Sequence, residues 1–226
     1  MDGTGGAEMS ATAPAFALPS ALFSDYSERL GAALRQFDWA PVEGLAHDLL
    51  DCWRTGRQVF LAGNGGSGGN ANHLANDFLY PLSKTHGSGL RVHSLCANPA
   101  ALTCLANDEG YEEIFSMQLA VLAREDDVLI VLSGSGNSPN ILRALEEAKR
   151  IGMTSYAMLG FSGGKAKDLA DVPIHFEIDD MQIAEDAQMI VGHMLLQWLY
   201  SQRDEVNASR DHAADLRQTW RRMKNS

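Results

Sequence analysis

The chain has 226 residues, 45% of them hydrophobic, and 29 acidic side chains against 18 basic ones leave a formal net charge of -11. That length carries one well-buried domain, and the acidic balance excludes a protein that grips nucleic acid through a general basic surface, because neutralising phosphates needs clustered Lys and Arg. No apolar run approaches the roughly 20 residues of a membrane helix and the Ala-rich start lacks a basic leader segment, so the expectation is a cytoplasmic protein with no membrane partner.

Residues 1–19 are small, Gly/Ala-rich and punctuated by Pro14 and Pro19, which predicts a flexible extension. Leu22, Tyr26, Leu30 and Leu34 then recur at helical spacing, and Val42, Leu45, Leu49 and Trp53 do so again behind Pro41 at a helix start. Gln58 to Ala62 is a short apolar run stopped by glycine, the pattern of a buried parallel strand that ends in a loop. A strand over 91–96, helices over 99–107 and 112–123, a strand over 127–132 and a helix over 139–151 follow. Strands over 154–159 and 172–178 and a long helix over 182–201 complete a domain spanning 20–202. Residues 203–226 are expected as a charged tail or short helix, with Leu216, Trp220 and Met223 at i, i+4 and i+7. Alternation of this kind predicts an α/β fold with a parallel sheet covered by helices on both faces. Cys52, Cys96 and Cys104 have neither zinc nor redox spacing and read as reduced, mostly buried thiols.

Two loops carry chemistry. Ser133-Gly134-Ser135-Gly136-Asn137-Ser138 separates the strongest strand from a helix, so hydroxyls and free amides gather at a helix N-terminus, an anion site that needs no local Lys or Arg. The plainer alternative is a turn with Ser138 or Asn137 as the helix cap. Gly63-Asn64-Gly65-Gly66-Ser67-Gly68-Gly69 follows the first strand in the same way; it lacks the P-loop lysine and the dinucleotide fingerprint, and its five glycines suit close approach of backbone to a ligand. Beyond that loop, His73 and Asp77 stand at i and i+4 on one side of a helix. Glu185 and His193 lie eight apart on the last helix, about 80° from eclipsed and ~12 Å along its axis, an awkward separation for a single ion. Asp186 is a rival carboxylate for the role of Glu185. Lone histidines such as His47, His86 and His175 are given no function, and His93 is left open.

Gly63-Asn64-Gly65-Gly66-Ser67, His73, Asn107-Asp108, the 133–138 loop and His193, in this order over about 40–200, resemble the phosphoheptose isomerase branch of the sugar isomerase (SIS) family. The resemblance implies a three-layer sandwich on a five-stranded parallel sheet, a homotetramer built in part through the N-terminal helices, and active sites at subunit interfaces. It implies conversion of sedoheptulose 7-phosphate to D-glycero-D-manno-heptose 7-phosphate through an enediol, with a phosphorylated sugar as the only partner besides its own copies. Ser133, Ser135 and Ser138 then bind phosphate with Gly134. Asn64, Gly65, Ser67, Asn107, Asp108 and Glu185 contact the substrate. Asp77 and His193 form the acid/base pair, and His73, Asp77, Glu185 and His193 hold zinc, or else another divalent metal. The chain departs from the family at two of these positions, since relatives carry glutamate where Asp77 stands and glutamine where Glu185 stands. Two alternatives stay open: isomerisation of another seven- or eight-carbon sugar phosphate, and a tetrameric SIS adaptor that has lost catalysis.

Overall fold

The computed structural model describes residues 18–80 and 89–206. Helices α1 (Pro19–Gln36) and α2 (Ala40–Thr55) lead into β1 (Gln58–Gly63) and α3 (Gly65–Leu79). Then come β2 (Arg91–Ser94), α4 (Pro99–Asp108), a 3-10 turn (Tyr111–Glu113), α5 (Ser116–Leu122) and β3 (Val128–Ser133). The chain continues through α6 (Pro139–Ile151), β4 (Thr154–Leu159), the short α7 (Ala166–Leu169), β5 (Val172–His175) and α8 (Met181–Ser201). All strands pair in parallel in the order β2-β1-β3-β4-β5.

Strand alternation divides the apolar residues between two cores. Val59, Leu61, Val128, Ile130 and Leu132 face one layer with Leu45, Leu49 and Trp53 of α2, Leu74 and Phe78 of α3, and Val191, Leu195 and Leu199 of α8. Phe60, Ala62, Leu129 and Val131 face the other, against Phe115 and Leu119, Ile141 and Leu145. This is the expected three-layer sandwich.

The strand order has a consequence for function. After β1 the chain crosses outward to β2, then returns over β1 to lay β3 on its other side. The direction reverses between β1 and β3, and connections leaving neighbouring strands on opposite faces open a crevice at their C-terminal ends. The two glycine-rich loops leave those two strands.

Several boundaries differ from the pattern. The helix expected over 112–123 is a 3-10 turn and then α5, because Gly110 takes a φ of 109° and the Ser116 hydroxyl bonds back to Glu113. The strands expected to reach Cys96 and Ile178 stop at Ser94 and His175; both are edge strands, and β5 carries Pro173. Helix α8 starts at Met181, capped by the Asp180 carboxylate, which accepts from Gln182 N at 3.0 Å and Ile183 N at 3.1 Å. Helix α1 buries no residue. It meets α8 through polar contacts, Tyr26 Oη donating to Asp186 Oδ2 at 2.5 Å and Arg29 Nη1 to Asp180 Oδ2 at 2.6 Å. Cys52 is buried as expected, whereas Cys104 is exposed because it sits on the open face of α4. Val206 still packs into the α2–α8 core, while Leu216, Trp220 and Met223 and residues 1–17 lie outside the described residues.

Candidate active site

The 133–138 loop is held by its own backbone before any ligand arrives. Ser133 Oγ accepts from Gly136 N at 3.1 Å and Ser135 Oγ from Asn137 N at 3.4 Å, which leaves the hydrogen of each hydroxyl uncommitted by these bonds. Gly136 takes a φ of 65° and its carbonyl accepts from Ala166 N at 2.9 Å, packing the loop against the start of α7. Asn137 Oδ1 accepts from Lys165 N at 3.1 Å. Ser138 occupies the N-cap position of α6 without making a side-chain cap bond, so the plain capping alternative fails and its hydroxyl stays available to an anion.

The first glycine loop is tied to α6 by a pair of amides. Asn64 Nδ2 donates to Asn140 Oδ1 and Asn140 Nδ2 to Asn64 Oδ1, each at 2.8 Å, and Tyr111 Oη adds a third bond to Asn64 Oδ1 at 3.0 Å. Asn140 is fully buried. Its exchange of hydrogen bonds locks the loop after β1 to the first turn of α6, leaving one Asn64 N–H free for a ligand. Ser67 is 4% exposed and turns toward α8, where its Oγ accepts from Gln188 Nε2 at 3.2 Å; Asn70 Nδ2 donates to Gln188 Oε1 at 3.0 Å. Gly65 stands exposed at the first turn of α3 with a φ of 54°. Tyr111, Asn140 and Gln188 are site residues that motif reading missed. Helical spacing could have found Gln188, three residues after Glu185 on α8.

Further along α3, His73 and Asp77 meet His193 of α8. His73 Nε2 lies 3.2 Å and His193 Nε2 3.6 Å from Asp77 Oδ2, and the two imidazole nitrogens are 3.3 Å apart. Zinc bonds to nitrogen and oxygen of about 2.0–2.1 Å give ligand–ligand edges of about 3.3–3.4 Å in a tetrahedron. The three separations fit one such ion with a fourth position left for water or substrate, and two nitrogens with one carboxylate oxygen suit zinc by ligand type.

Glu185 does not join these three. Its carboxylate lies against Gly66 in the first turn of α3, where any Cβ would collide with it, and eight residues of helix separate it from His193. Asp186, the rival, points away toward α1 and accepts from Tyr26; burial and this bond push the Tyr26 phenol up to about 12. Asn107 and Asp108 end α4 on the exposed surface. Asn107 Nδ2 donates to Asp108 Oδ1 at 2.8 Å and Cys104 Sγ to Oδ2 at 3.4 Å, which together hold the Asp108 carboxyl below its ordinary range. Among the described residues neither bonds to the serine loop or the histidines. His47 and His175 bond the Glu43 and Phe161 carbonyls, and His93 bonds Gln58 Oε1 and stacks on Phe60. His86 lies outside the described residues.

The five-stranded parallel sheet is covered by helices on both faces, and two glycine-rich loops leave neighbouring strands at its switch point; the SIS domain profile matches residues 23–160 of this chain. The chain belongs to that family. The phosphoheptose isomerase of Helicobacter pylori (strain P12) is 38% identical over 149 residues, covering 66% of this chain and 77% of the relative. The probable phosphoheptose isomerase of Thermoplasma volcanium is 33% identical over 172 residues, 76% of this chain and 87% of its own. A solved phosphoheptose isomerase from Francisella tularensis superposes with a TM-score of 0.76 at 27% identity, over 82% of this chain and 100% of that one. Within the SIS family the chain falls in the phosphoheptose isomerase branch.

Proposed function

We propose that the protein is an aldose–ketose isomerase that converts sedoheptulose 7-phosphate to D-glycero-D-manno-heptose 7-phosphate through an enediol. The observation that carries this reading is the convergence of His73 and Asp77, on the helix that leaves the first glycine loop, with His193 of α8. His73 stands eight residues beyond Gly65, ~12 Å along the helix axis, which leaves room for a sugar chain between the glycine loop and the cluster.

In this reading the hydroxyls of Ser133, Ser135 and Ser138 and the head of α6 hold the phosphate, and Asn64 orients a sugar hydroxyl with its remaining N–H. Asp77, whose side chain is only 15% exposed, takes the proton from C1 of the ketose and returns it to C2. His193 carries the compensating proton between the oxygens on those two carbons, so the enediol forms and collapses without net proton gain. A divalent metal held by His73, Asp77 and His193, zinc by ligand type, would polarise the carbonyl oxygen and stabilise charge developing on it. Glu185, beside Gly66, lies nearer the glycine loop, where it contacts substrate.

We further infer a cytoplasmic homotetramer. Supporting association, α1 exposes Leu22 at 57% and Phe23 at 70%, and Met194 and Tyr200 lie open on α8. No described helix is long and apolar enough to cross a membrane. Incubating purified protein with sedoheptulose 7-phosphate and analysing the product tests the assignment: an aldoheptose 7-phosphate supports it, and unchanged ketose contradicts it.

A further inference from the structure

At the opposite end of the sheet, a second cleft of about 370 Å³ opens between the α2–β1 turn, the start of β2 and the α5–β3 turn. Its walls carry Arg57, Arg91 and Arg124. Three guanidinium groups in one cleft run against the character of a chain with net charge -11. Their own strands separate this cleft from the active crevice: β1 runs six residues from one to the other, roughly 20 Å at strand rise.

The cations are anchored without being neutralised. Arg57 Nη1 donates to Asp126 O at 2.8 Å and its Nε to Thr55 Oγ1 at 3.1 Å, while Arg91 Nη1 donates to Gly56 O at 3.0 Å. The Arg124 guanidinium has no hydrogen-bond or ion-pair partner among the described residues. Asp127, the buried carboxylate of the wall, is occupied by Gln58 N at 2.7 Å, Arg124 N at 2.9 Å and Gln58 Nε2 at 3.5 Å. Glu125 also lines the cleft and pairs with none of the arginines. Each guanidinium has five N–H donors, so most remain for a ligand.

Their placement sets the ligand's size. Arg91 opens β2, Arg57 precedes β1 and Arg124 leads into β3, and those strands are neighbours in the order β2-β1-β3. At about 4.8 Å per strand the row spans about 10 Å, longer than one phosphate and matched by two in tandem. Val121, 82% exposed, and Leu122, 46% exposed, form an apolar lip for an organic group.

We propose that this cleft is a binding site for a small molecule bearing a diphosphate group, independent of the isomerase reading. The test is calorimetric titration with inorganic pyrophosphate in the Ser135→Ala background, which weakens the crevice's own phosphate site. Saturable, salt-sensitive binding is expected, at least about tenfold tighter than for orthophosphate because a second phosphate engages further charge-assisted bonds. Arg124→Gln removes a guanidinium that makes no internal bond and should weaken pyrophosphate about tenfold, with a larger loss for Arg124→Glu. Arg91→Lys, which keeps the charge, serves as a second variant and should weaken binding by losing the planar fork. Absence of saturable binding, equal affinity for orthophosphate, or unchanged affinity in both Arg124 variants overturns the proposal.

Discussion

Gly192 decides how closely α8 can approach α3, and therefore where His193 stands. A Cβ there would overlap Leu74 Cδ2 and lie 2.8 Å from Cδ1 and 3.0 Å from Cγ. Leu74 is 1% exposed and hemmed in by the α2–α3–α8 core, so its side chain has nowhere to swing. Carbon atoms rest at about 3.5–4.0 Å, so Gly192→Ala must force the helices apart by about 1 Å. Overpacking of this kind costs about 1–3 kcal/mol, which in a domain of this size lowers Tm by about 2–12 °C. The next residue is His193, whose nitrogen lies 3.3 Å from His73 and 3.6 Å from Asp77. A displacement of about 1 Å there should lower kcat about 100-fold. KM should stay near wild type, because the serine loop rides on β3 and α6. Thermal unfolding and steady-state isomerase assays read both effects. Leu74→Ala alone should cost about 2–5 kcal/mol, and the double variant should be less destabilised than the sum, since the new methyl enters the vacated space. Gly192→Ala with wild-type Tm and kcat would refute the reasoning.

Removing one anion contact should act on binding: Ser135→Ala is expected to raise KM more than it lowers kcat, at a cost of about 1–3 kcal/mol, and unchanged phosphate affinity would remove Ser135 from the site. A strong chelator should abolish activity and restored zinc should return it, with about one metal per chain by elemental analysis; full activity in metal-free protein would reduce the cluster to direct acid/base groups. Light scattering at micromolar concentration should report a tetramer, and a lone monomer would contradict association through α1 and α8.

Much of the fold was legible because its signals are local. Buried strands such as 154–159 and a helix bounded by Pro139 and Gly152 announce themselves through apolar runs and terminators, and both elements fall where the pattern puts them. The strand order was not legible, since periodicity reports faces and not neighbours; the reversal between β1 and β3 emerges only when the chain closes. The site follows the same division. His73 and Asp77, one turn apart, meet as their spacing predicts. Glu185 and Asp186 are adjacent in sequence, yet one carboxylate lies on Gly66 and the other on Tyr26, because a helix turns about 100° per residue and α1 approaches from one side. Asn140 went unseen because its role depends on a partner 76 residues away.

The most direct test of the central claim is transfer of the carbon-bound proton itself. In deuterated water, the wild-type protein should incorporate deuterium at C2 of the aldoheptose phosphate. Asp77→Asn should bring that exchange close to the uncatalysed level while leaving Tm nearly unchanged. Wild-type exchange rates in Asp77→Asn would contradict the assignment of Asp77 as the base.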